Sequence, residues 1–128
     1  MASIASAVRT KITAANITNV TTKVYRDMAP DSVALPFVTF MSDLARTPEL
    51  EGDGIVKARK QMMQIDLWQQ LTSEDVAIVE ALLAAVDGAD LTGVDKTVFK
   101  CKVADIQRLV DLDDNICHHA LTVEVVHT

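Results

Sequence analysis

Aromatic side chains are scarce: three Phe, one Tyr and one Trp amount to 4% of the 128 residues. A core must therefore rest on Val, Ile, Leu, Ala and Met, and apolar residues reach 49%, which is ample for one. The only cysteines are Cys101 and Cys117, too few for a disulfide framework. Both read as reduced, buried, small apolar groups, as cytosolic synthesis would leave them. Basic charge is also short, with 12 Lys and Arg against 18 Asp and Glu and a net charge of −6. A domain that wraps nucleic acid would cluster Lys and Arg, so that class is disfavoured. An acidic surface suits a wall that DNA slides past without sticking. No run approaches the roughly 18 apolar residues of a membrane span. The first twenty residues lack the continuous apolar stretch of a signal peptide. The GxGxxG, Walker, HExxH and GxSxG patterns are all missing, which removes the usual sequence signs of phosphate binding, zinc hydrolysis and serine chemistry.

The length fits a single domain, residues 1–128, that can build a core without metal or disulfide. Ile4, Val8 and Ile12 recur at helical spacing, so Ser3 to Ala15 reads as a helix, with Ser3 as a possible cap. A short strand over Lys23 to Met28 follows, stopped at Pro30. A second strand, Pro36 to Ala45, opens on a proline, which can begin a strand but cannot donate within one. Phe37, Thr39 and Met41 lie on one face of it and Val38, Phe40 and Ser42 on the other. Apolar groups on both faces suggest that one side meets the helices and the other a neighbouring subunit. Thr47 to Gly54 is dense in turn formers and acids and predicts a mobile hairpin loop carrying Glu49, Glu51 and Asp53. Ile55 to Gln69 reads as a long third strand, basic at its start and alternating at its end.

A second helix follows. Thr72 and Asp75 form a Thr-x-x-Asp box, and Val76, Val79, Leu83 and Val86 define its stripe. Gly88 supplies the stop. Thr97 to Leu109 and Ile116 to His127 read as the last two strands, with Phe99, Cys101 and Val103 sharing a face of the first. The resulting order is α-β-β-β-α-β-β. It predicts an α+β fold, an antiparallel sheet of about five strands with two helices on one face.

Chemistry is hard to find. Cys117, His118, His119 and His127 invite a metal hypothesis, but adjacent strand residues point to opposite faces. His119 and His127 share a face yet sit about 26 Å apart at strand spacing. Cys101 lacks the setting that would lower a thiol pKa. No catalytic, cofactor-binding or metal-ligating residue is therefore assigned, and no cofactor is expected.

Several pieces stand out in order: Val24-Tyr25, Ala29-Pro30, Leu35-Pro36-Phe37-Val38, Ile65-Asp66-Leu67-Trp68, the helix ending at Gly88, and Asp105-Ile106-Gln107-Arg108 before an alternating last strand. Taken together, they resemble the tail terminator (tail-completion) proteins of long-tailed bacteriophages and phage-like particles. The resemblance implies a non-catalytic virion protein that caps the head-proximal end of the tail tube as a ring, a hexamer in such proteins. It would stop tube growth and offer a surface for head–tail joining. The implied partners are copies of the chain, the tail tube protein and the head–tail connector or adaptor, with DNA only passing through the lumen and no membrane. Phe37, Phe40, Met41, Lys57, Arg59 and Trp68 are the interface candidates, the basic ones pairing with acids of a neighbour. Two other readings stand beside this one: a head–tail adaptor or neck protein, and a small α+β enzyme or ligand-binding domain with a pocket between helix and sheet.

Overall fold

The computed structural model describes residues 3–50 and 56–128, with the side chains of 42–50 and 56–57 outside the description. Helix α1 spans Ile4–Ala14 and strand β1 Val24–Arg26. Strands β2 (Phe37–Leu50) and β3 (Val56–Gln70) follow, then a 3₁₀ turn over Leu71–Ser73 and helix α2, Val76–Val86. Strands β4 (Val98–Asp111) and β5 (Ile116–His127) close the chain. The sheet order is β1-β2-β3-β5-β4. The α+β class and element order match expectation, but the sheet is mixed. β1 pairs with β2 in parallel, and the other neighbours are antiparallel.

Alternation along β5 shows why the sheet has two unlike faces. Cys117, His119, Leu121, Val123, Val125 and His127 are all buried, and the residues between them are half-buried. A period of two sends one set under the helices and the other to the open face. In register across the sheet, Phe40, Ile65 and Leu121 form one row of the helix face. Ile12, Val8, Ile78 and Leu82 of the two helices belong to the same core cluster. Phe40 is 3% exposed in that core and drops out as an interface residue, because its parity in β2 turns it under the helices.

Helix boundaries differ from the pattern in a way caps explain. Ser3 caps α1, its side chain accepting from the Ser6 N–H. Asp75, not Thr72, caps α2 by accepting from the Ala77 N–H at 2.9 Å. The segment before it is the 3₁₀ turn, so Glu74 stands outside the helix and is free to serve the sheet. The buried stripe of α2 is Ile78, Val79, Leu82 and Val86, while Val76 is exposed. The helix is apolar nearly all round, so periodicity alone could not choose its inner face. Removing the cap with Asp75→Ala should cost about 1 kcal/mol, read as a lowered midpoint in urea unfolding.

β4 carries two bulges, between Val98 and Lys100 and between Val103 and Asp105. The first leaves Phe99 unpaired and 59% exposed, although strict alternation had put it with buried Cys101. The second reverses parity and brings Ile106, Arg108 and Val110 to the helix side. β2 runs through Leu50, so Glu49 is in a strand and not in a loop; Glu51 and Asp53 lie outside the described residues.

Candidate assembly surface

The open face of the sheet carries the aromatic cluster. Register aligns Phe37, Trp68, His118 and Leu109 in one row across β2, β3, β5 and β4. Trp68 stacks on His118 with ring centroids 4.0 Å apart and planes at 12°, and lies 6.3 Å from Phe37 at 28°. The next row locks this stack. Trp68 Nε1 donates to Thr39 Oγ1 at 3.0 Å, and His118 Nε2 meets Asp66 Oδ1. Gln64 Nε2 donates to both oxygens of Asp66, at 2.9 and 3.1 Å. Asp66 is only 6% exposed, and these partners satisfy its carboxylate. The result is a preset, rigid aromatic platform with no helix on top of it.

Two grooves flank Trp68. One, about 350 Å³, is lined by Met28, Pro30, Val33, Phe37, Trp68 and Ile116, with Asp27 and Asp31 on its rim. The other, about 300 Å³, is lined by Trp68, Leu109, Val110, Ile116 and His118, with Asp111 and Asp114. Exposed apolar groups crowd the same end of the molecule: Met28 and Leu112 are each 78% exposed, and Leu109 is 49% exposed. Clustered exposed apolar side chains with a polar rim are the mark of a protein contact.

Of the interface candidates, Phe37 and Trp68 are thus brought together, and Met41 shares their face at 41% exposure. Arg59 is exposed near the opposite end of the sheet, opposite His127 in register. The Lys57 side chain lies outside the description.

The helix face holds a polar knot that sequence reasoning missed. In one row Val38, Leu67, His119 and Arg108 align, so the core turns polar toward the β4 edge. Glu74 descends on that edge. Arg108 Nε and Nη2 donate to Glu74 Oε2 and Oε1 at 2.9 and 2.7 Å. The Cys117 thiol donates to Glu74 Oε2 at 3.2 Å, and His119 Nε2 lies 3.4 Å from the same oxygen. The forked Arg108 contact holds the Glu74 carboxyl down to about 2. Burial, then Glu74, pushes the Cys117 thiol up, and burial holds His119 below its usual range. Burial also raises Cys101 to about 11. Neither thiol is set up as a nucleophile.

Glu74, Cys117 and His119 could each offer a ligand atom, all within 4.8 Å of one another. Arg108 already occupies both oxygens of Glu74 with its forked contact, so the arrangement is that of a tie between the segment leading into α2 and the sheet. Glu74 was invisible as a partner in sequence because it lies 43 positions from Cys117. His118 and His119 point to opposite faces, as strand geometry requires, and His119 is buried at 7%. Among the described residues no helix is long and apolar enough to cross a membrane.

A two-helix layer over one face of a mixed five-stranded sheet, with an aromatic row on the other, defines a small α+β domain. The chain belongs to the tail completion protein gp17 family, whose model matches residues 3–128. It is therefore a structural tail protein. A chain in the solved structure titled "Virion of native gene transfer agent (GTA) particle" shares the fold, with a TM-score of 0.75 and 16% identity over 98% of this chain and 94% of that one. A search of the curated proteins gives no match.

Proposed function

We propose that this chain caps the head-proximal end of a phage-type tail tube as a closed ring, stops tube polymerisation and offers the surface on which head and tail join. Its place is then in the virion, in the tail, and its partners are copies of itself, the tube protein and the head–tail connector or adaptor. DNA passes through the lumen without being bound. The observation that carries this reading is the half-buried Phe37–Trp68–His118 row, which no helix of the described residues covers and which Asp66 and Thr39 of the neighbouring row on the same face hold in place. A monomer has no use for a preset aromatic platform left part-exposed to water. A neighbour that buries it gains about 25 cal/mol per Å² of apolar area, and a stable contact covers on the order of 1,000 Å² or more. Membership of the tail completion family and the shared fold with a virion chain support the same conclusion.

The test is growth arrest. Tube protein polymerising with this chain present at substoichiometric amounts should give short tubes with one end capped, measured as a length distribution by negative-stain microscopy. Unchanged lengths would contradict the reading. The adaptor reading predicts binding to the connector with no effect on tube length.

A further inference from the structure

The sheet is polarised along its strands, and both ends carry exposed apolar groups. Around Trp68, Asp27 and Asp31 of the β1–β2 connection and Asp111 and Asp114 of the β4–β5 turn rim the two grooves, and among the described residues no Lys or Arg lines either groove. At the other end, the first bulge of β4 thrusts out Phe99, with Lys100 and Lys102 following on the open face. Lys100 there pairs with Glu124 at 3.5 Å, and Lys102 adds a second positive charge on the same face. Phe99 also borders a groove of about 340 Å³ with Ala89, Leu91 and Val98, where Asp90 is the acidic neighbour.

The two ends cannot meet within one molecule. Twelve strand positions separate Phe99 from Asp111, about 40 Å at strand spacing. Different patches that attract one another but sit far apart on one copy join copies head to tail, and such a contact closes into a ring when the rotation per subunit allows. We infer that the acidic, apolar end around Trp68 receives the Phe99–Lys100–Lys102 end of a second copy of this chain. This rests on the ring reading above and names the two surfaces that make the ring. Charge sets the direction of the contact and speeds encounter, while Phe99 in the groove supplies the apolar burial.

The experiment is a charge swap, followed by sedimentation velocity and by negative stain on tube ends. Asp111→Lys with Asp114→Lys should weaken self-association at least about tenfold, because like charges then face each other. Lys100→Glu with Lys102→Glu should do the same. All four side chains are exposed, but Asp111 Oδ1 accepts from the Asp114 N–H and Lys100 pairs with Glu124, so thermal unfolding of each variant is measured beside association, and only a variant that still unfolds cooperatively is read for the contact. Mixing the two variants should restore association, since each keeps one native end. Phe99→Ala should weaken it without changing its salt dependence. If the parent chain forms rings and the swaps leave them intact, this assignment of surfaces is overturned while the ring stands. If the parent chain forms no ring, even on tubes, the ring reading fails and this contact fails with it.

Discussion

Leu121→Ala should cost about 2–5 kcal/mol of folding stability, a large share of the roughly 5–15 kcal/mol that a domain commands. Leu121 is fully buried, placed between Ile65 of β3 and Ile106 of β4, with the helices above. Neighbours held on both sides by ladder hydrogen bonds cannot collapse into the space, so the cavity persists. Urea unfolding at constant slope gives the number. The control is Thr122→Ala, one residue on and facing the open side, where the change should stay within about 0.5 kcal/mol. A loss below about 1 kcal/mol at Leu121 would mean that the helices do not cover this row.

Glu74→Ala should be the next most damaging change, about 1–3 kcal/mol, because it takes the acceptor from the Cys117 thiol and leaves buried His119 facing Arg108 with no intervening anion. Acid should have a related effect. Arg108 depresses the Glu74 carboxyl from 4.5 to about 2 in the folded chain, so the folded state holds fewer protons than the unfolded one in that interval. The stability it contributes is complete above about pH 4.5 and is lost as pH falls toward 2. His119 adds to the loss in the same direction. Its folded pKa lies below 6.5, so its contribution is full above that pH and declines beneath it. Unfolding free energy measured against pH should therefore fall on the acid side. Arg108→Ala should flatten the part between pH 4.5 and 2, and an unchanged profile would show that the ion pair does not form.

Much of this fold was readable in residues. β5 alternates without a break, so its period alone assigns both faces, and Ile4, Val8 and Ile12 do the same for α1. The misreadings share a cause: local pattern does not report what lies across the sheet. The parallel pairing of β1 depends on which edge three residues reach. The exposure of Phe99 depends on a bulge that no single residue announces, and the inward turn of Phe40 on parity in a strand apolar on both faces. The α2 start moved because Thr72 is engaged by Asn115 of the β4–β5 turn, leaving Asp75 as the cap. For the candidate surface, Phe37 and Trp68 could be picked out as apolar strand residues. His118 could not be recognised as their stacking partner, because register across three strands brings it there. Leu112 and Met28, in turns, gave no sign of being exposed together with the grooves.

Electron microscopy of tail tubes assembled with this chain bears most directly on whether its open sheet face exists to be covered by its own copies. A ring of density should sit at one end only of each tube, with the Trp68 face buried between adjacent subunits. Bare tube ends, with the chain remaining in the unbound fraction as a single subunit, would contradict the account.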